Sequence, residues 1–128
     1  MLLDLLRETY AICRLGPAVP LPDFHCHEFL CVVRTETELS VVCPESAVPS
    51  LATADHGWRA LRVAGTLSLS ETGILASLAW PLAAAGIPIF AVSTYATDYL
   101  LIPHSRLDAA LHALQGAGHI AATVPSLP

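Results

Sequence analysis

The chain has 128 residues and a mass of 13.5 kDa, room for one domain or for two small subdomains sharing a core. Hydrophobic residues make up 54% and charged residues only 13%, which excludes intrinsic disorder and asks for apolar surface to be hidden against a second subdomain or chain. All 6 basic residues are arginine, so catalysis through a Schiff-base lysine or a phosphate-loop lysine is excluded. The net charge of −5 comes with no basic patch that would point to nucleic acid.

Read in chain order, the first half is a series of strands. Thr9 to Leu15 is short and apolar and stops at Gly16-Pro17. Residues 18–24 carry Pro20 and Pro22 and read as an extended connector. Glu28 to Arg34 and Leu39 to Cys43 are two strands joined by the polar turn Thr35-Glu36-Thr37-Glu38, a hairpin. Pro44 to Gly57 is polar and turn-rich, and a boundary between units is expected there, dividing the chain into 1–56 and 57–128.

The second half is more regular. Trp58 to Leu69 alternates, with Leu61, Val63, Leu67 and Leu69 on one face, and predicts a half-buried strand with a bulge at Gly65. After Ser70-Glu71-Thr72-Gly73, the spacing of Leu75, Leu78, Ala79 and Leu82 predicts a helix. Pro81 removes the hydrogen bond to the Ser77 carbonyl inside it, and Gly86 stops it. Ile87 to Tyr95 and Asp98 to Ile102 are a second hairpin about Ala96-Thr97. Ser105 and Asp108 have capping-box spacing ahead of a helix that buries Leu107, Ala110, Leu111 and Leu114. Gly116 or Gly118 closes that helix, and His119 to Val124 is the last strand. Strand, helix, strand, strand, helix, strand is the split βαβ order, which predicts a four-stranded antiparallel sheet under two helices.

Two features invite other readings. No charge falls between Glu71 and Asp98, and Ile74 to Val92 is long enough to cross a bilayer, but Pro81, Gly86 and Pro88 make it a helix followed by a strand. Asp4, Arg7 and Glu8 interrupt the leucines at the start of the chain, so no signal peptide and a cytoplasmic location are expected. In that compartment Cys13, Cys26, Cys31 and Cys43 read as small buried hydrophobes and not as a disulfide framework. His25 and His27 share one face of an extended segment, with Cys26 opposite. They could begin a metal site, but no second ligand cluster completes it, and the plainer reading is a solvated connector. Alanine and leucine are abundant and asparagine absent, which reads as the codon bias of a GC-rich bacterial genome.

The stretches Glu71-Thr72-Gly73-Ile74-Leu75-Ala76 and Pro81-Leu82-Ala83-Ala84-Ala85-Gly86-Ile87 resemble the ACT domain family. In that family a glycine opens the first helix and an alanine-glycine-isoleucine step leads into the second strand. Ile89 to Tyr99, with Gly57 to Gly65 before it, looks like the tandem-ACT branch of amino-acid-binding proteins that includes the CASTOR-type arginine sensors. Glu38 to Pro44 is similar to the strand that closes the first unit of that branch. The resemblance implies an α+β, ferredoxin-like (βαββαβ) ACT domain preceded by a degenerate, ACT-like, β-rich N-terminal unit.

It also implies a regulatory, amino-acid-binding sensor without catalytic residues, metal or cofactor, its ligand a free amino acid held between ACT-like units. By carry-over, Glu71, Thr72, Gly73, Ile74, Thr94, Tyr95 and Asp98 line the pocket, with Ser40 and Val41 from the first unit. The residues suit that role. An uncapped helix start favours a carboxylate, and Asp98 can hold an ammonium by a charge-assisted bond. Other readings compete: a structural or oligomerisation module that binds nothing, and a metal site at His25, Cys26 and His27. No membrane or nucleic-acid partner is expected, and both a monomer with internally paired units and a homodimer fit the pattern.

Overall fold

The computed structural model describes residues 1–26 and 28–124; His27 and residues 125–128 lie outside the described residues. The strands are β1 (Leu2–Leu15), β2 (Cys31–Arg34), β3 (Leu39–Pro44), β4 (Thr53–Val63), β5 (Phe90–Ser93), β6 (Asp98–Pro103) and β7 (Ile120–Thr123). The helices are α1 (Ile74–Ala84), between β4 and β5, and α2 (Leu107–Gly116), between β6 and β7. The chain divides into two compact units, Met1–Arg7 with Arg59–Pro128, and Glu8–Trp58. The division expected at residue 56 lies close to the step between Trp58 and Arg59, and the compact units group Met1–Arg7 with the residues that follow it. Leu3 and Leu5 alternate with Asp4, and they enter the core of the helical unit.

In the helical unit the strand order is β7-β1-β4-β6-β5. The βαββαβ order is as expected, but the sheet is not four-stranded and antiparallel. The start of β1 lies beside β7 and pairs with it in parallel, Leu2 opposite Ile120 and Leu5 opposite Thr123. The core under the helices joins Leu3 and Leu5 to Leu61, Val63, Leu100 and Ile102 of the strands. Leu78 and Leu82 of α1, with Ala110 and Leu114 of α2, cover it. Burying each such leucine is worth about 1.5–3 kcal/mol. Asp4 leaves this core on the opposite face of β1 and meets Arg62 of β4, Oδ2 to Nη2 2.9 Å and to Nε 3.1 Å.

Both helices end in the same way. Gly86 donates to Ala83 and Ile87 donates to Leu82, and Gly118 and His119 repeat this on Gln115 and Leu114. These are Schellman closures, and the positive φ of Gly86 (71°) and Gly118 (92°) makes them. The capping box expected at Ser105 does not form. His104–Arg106 is a turn of 3-10 helix leading directly into α2, whose N-cap is Arg106 without a side-chain cap. The strand expected over Trp58–Leu69 runs earlier, and ends at Val63. Gly65, with φ 84°, turns the chain out of the sheet instead of bulging within it. β5 is likewise shorter than expected, because Thr94 to Thr97 form a four-residue turn with the Thr94 amide donating to the Thr97 carbonyl, 2.8 Å.

In the unit Glu8–Trp58 the order is β2-β3-β1 followed by the first half of β4, with β2, β3 and β1 antiparallel. The expected hairpin forms with Cys31 opposite Val42 and Arg34 opposite Leu39. Thr35 closes it by accepting the Thr37 and Glu38 amides on its hydroxyl. Arg34 fixes the proline-rich connector by donating to the carbonyls of Pro17 and Val19. Ala11, Cys13 and Leu15 of β1 alternate onto one face with Leu39, Val41 and Cys43 of β3. On the other face the buried Tyr10 ring meets Phe29 edge-on at 5.8 Å, and its hydroxyl donates to Glu28 Oε1 at 2.8 Å. Among the described residues this unit has no α-helix, only a 3-10 turn at Glu45–Ala47. No helix among the described residues is long and apolar enough to cross a membrane.

Candidate functional site

Three consecutive pieces of the helical unit surround a cavity of about 300 Å³: the loop that follows β4, the first turn of α1, and the β5–β6 turn. Its position follows from where the strands stop. β4 ends at Val63, and the chain spends the next ten residues, with Gly65 and Gly73 at positive φ, before α1 begins. Two hydrogen bonds tie that loop to the β5–β6 turn. The Leu67 amide donates to the Ala96 carbonyl at 2.7 Å, and the buried Thr97 hydroxyl donates to the Val63 carbonyl at 2.7 Å.

Gly73 is the N-cap of α1, in the left-handed region at φ 79°, and no side chain caps the helix. The first intrahelical bond runs from the Ser77 amide to the Gly73 carbonyl, 2.9 Å. The amides ahead of it have no acceptor within the helix, and the helix dipole adds partial positive charge there. Ile74, Leu75 and Ala76, which carry those amides, line the cavity.

Two carboxylates complete the lining, and no basic side chain is among it. Asp98 starts β6 opposite Ser93 and accepts the Ser93 hydroxyl on Oδ1 at 2.6 Å. Glu71 bends back on its own loop. Its Oε1 accepts the Ser68 amide at 3.0 Å while its amide donates to the Ser68 carbonyl at 3.1 Å. Thr94 spends its hydroxyl inside the turn, accepting the Ala96 and Thr97 amides and donating to the Thr97 carbonyl. Tyr95 and Leu69 stand at the mouth, 84% and 72% exposed.

Of the residues singled out from the sequence, Glu71, Gly73, Ile74, Thr94, Tyr95 and Asp98 therefore meet around one cavity. Thr72 is exposed on the same loop outside its lining. Ser40 and Val41 belong to β3 of the other unit. Val41 is fully buried in that unit's core, and Ser40 is half-buried opposite Arg14. Leu67, Ser68 and Leu69 also line the cavity, and the sequence does not point to them because their alternation continues that of β4 past Gly65. The serines at 66–70's polar positions, Ser68 and Ser70, were the signal that the strand had already ended.

The segment Asp23-Phe24-His25-Cys26 arranges its side chains apart from one another. His25 lies on the surface, 3.7 Å from Asp23, while Cys26 packs toward the core of its unit. His27 lies outside the described residues. No group of three or more metal-ligating side chains occurs among the described residues.

A sequence model of the ACT domain matches residues 53–116, and a second, of an N-terminal domain, matches residues 8–51. The human cytosolic arginine sensor for mTORC1 subunit 1 is 39% identical over 59 residues, 45% of this chain and 18% of the sensor. The chain thus spans less than a fifth of the curated relatives it matches. The crystal structure of Agrobacterium tumefaciens protein Atu0741 is 33% identical with a TM-score of 0.88, covering 99% of this chain and 96% of that one. The regulatory subunit of Thermus thermophilus aspartate kinase, in its ligand-free form, shares the fold at 13% identity. Its TM-score is 0.64, over 90% of this chain and 95% of that one. With the βαββαβ unit, the uncapped α1 and these matches together, the chain belongs to the ACT-domain family.

Proposed function

We propose that the chain is a regulatory module that binds a free amino acid in the cavity at the start of α1, and that it catalyses nothing. The observation that supports this most is the polarity of the cavity: uncapped helix amides on one wall, and Glu71 with Asp98 on the others. A free amino acid carries both charges at a fixed short separation. Its carboxylate suits the amides of Ile74 to Ala76, and its ammonium suits Asp98. The stem of the ligand lies against Thr94 and Tyr95. Glu71 is the acid left for a cationic side chain, which it reaches by releasing the Ser68 amide. The similarity to an arginine sensor makes arginine the first ligand to try.

The test is thermal unfolding in the presence of each of the twenty amino acids in turn. At a concentration 100 times its dissociation constant, a ligand adds about 2.7 kcal/mol to the folded state. Arginine or another amino acid with a positive side chain should raise the melting temperature most. Asp98→Ala should abolish the shift while folding normally, since Asp98 is held by one exposed hydroxyl bond. If no amino acid moves the transition, the reading is wrong.

A further inference from the structure

Helix α1 contains a proline four residues after Ser77, so the Ser77 carbonyl lacks the amide that an α-helix normally supplies to it. Across the unit, the imidazole Nε2 of His119 lies 3.1 Å from that carbonyl oxygen. A carbonyl only accepts, so Nε2 carries the hydrogen, and the bare Nδ1 then accepts from the Met1 nitrogen at 2.9 Å. The imidazole is 7% exposed, and both of its nitrogens are used.

His119 arrives there through backbone geometry. It is the residue after Gly118 in the Schellman closure of α2, with its amide on the Leu114 carbonyl at 2.9 Å. In the matching closure of α1 that position is Ile87, a buried apolar residue of the kind this motif favours. A histidine at the second closure departs from that pattern.

We infer that Pro81 and His119 are a coupled pair: the proline opens one carbonyl in the middle of α1, and His119 fills it, fastening α1 to the α2–β7 junction. His119 is a positioning residue, since it is not among the residues that line the cavity. The turn it fastens begins at Ser77, whose amide closes the first turn of α1, where Ile74 to Ala76 form the cavity wall. The consequence for ligand affinity rests on the function proposed above; the pairing itself does not.

The test is a double-mutant cycle read without ligand, by urea unfolding and by hydrogen exchange at the Ser77 amide. His119→Leu in the native background should shift the folding equilibrium about tenfold toward the unfolded chain, the loss expected when a part-buried hydrogen bond is removed. Ser77 exchange should quicken with it. In the Pro81→Ala background the helix provides its own amide to Ser77, and the same His119→Leu change should cost less than about threefold. His119→Gln, which keeps an N–H of similar reach, should recover most of the loss in the native background. Equal losses in the two backgrounds, including failure of His119→Leu to fold in both, overturn the pairing. A cycle that shows coupling in a protein that binds no amino acid would leave the pairing standing and remove the proposed function.

Discussion

The unit made of Met1–Arg7 and Arg59–Pro128 buries Leu78 and Leu82 of α1 and Ala110 and Leu114 of α2 against its strands, whereas Glu8–Trp58 has no α-helix to do this among the described residues. On one face of β1 and β3 its core mixes Leu15 and Leu39 with smaller side chains, Ala11, Cys13, Val41 and Cys43, while Tyr10 and Phe29 fill the other face. Irregular segments carrying Phe24, Cys26 and Val48 close it. A core of long aliphatic side chains under helices gains from volume, and loses when volume is removed. A core face that carries two buried thiols beside its leucines is sensitive in addition to charge placed inside it.

The largest expected effect breaks the first half of that contrast. Leu82 is fully buried, sits in the last turn of α1 and touches both helices' core. Leu82→Ala leaves a cavity that the helix cannot collapse into, because its carbonyl also anchors the Ile87 amide. The cost should be about 2–5 kcal/mol in urea unfolding. A loss below about 1 kcal/mol would mean that the helical core is loosely packed.

The next effect concerns the thiols. Burial pushes the Cys43 thiol up to about 12, with Cys13 and Cys26 beside it adding to the shift. Burial likewise raises Cys13 and, with Glu28, the Tyr10 phenol. The unfolded chain ionises Cys43 near its ordinary value of 9.0, while the folded chain keeps the proton. Below that value both states are protonated and the thiol contributes nothing to the pH dependence of stability. Above it the unfolded state binds fewer protons, so stability falls as pH rises, by roughly 1 kcal/mol per pH unit until the folded thiol also ionises. Cys43→Ala should make this slope shallower by up to about 1.4 kcal/mol per pH unit between about pH 9 and 12, and an unchanged slope would remove Cys43 as a source of it.

The two units were not equally legible in the amino-acid sequence. The helical unit announced itself through period: Leu75, Leu78 and Leu82, then Leu107, Ala110 and Leu114, each ended by a glycine that takes positive φ. The site was legible where its residues sit on those elements or their turns, as Glu71, Gly73 and Asp98 do. Long-range pairing was not. Nothing local says that Leu2 to Leu5 will lie beside Ile120 to Thr123, or that Asp4 will find Arg62, since both depend on which strand edge is left open by the rest of the fold. The capping box failed for a similar reason. Ser105 has the right spacing, but Pro103 and the 3-10 turn after it deliver the chain to α2 one residue further on. His119 was legible only as a scattered histidine, because its partner carbonyl is 42 residues away.

The smallest expected effect sharpens the contrast at the cavity. Thr97 is the one residue of the β5–β6 turn that is buried, and its hydroxyl bond to the Val63 carbonyl joins that turn to the end of β4. Thr97→Val preserves shape and β-branching, removes the hydroxyl, and leaves the carbonyl without that donor. The stability loss should be about 1 kcal/mol, well below that of Leu82→Ala. Its local effect should be larger than its global one. The Leu67 amide on Ala96 is then the remaining hydrogen bond described between loop and turn, and its exchange should quicken several-fold while amides in β1 and β3 are unmoved. Quickening spread evenly over both units would mean that the hydroxyl supports the fold as a whole, and that the cavity walls owe their spacing to packing and not to this bond.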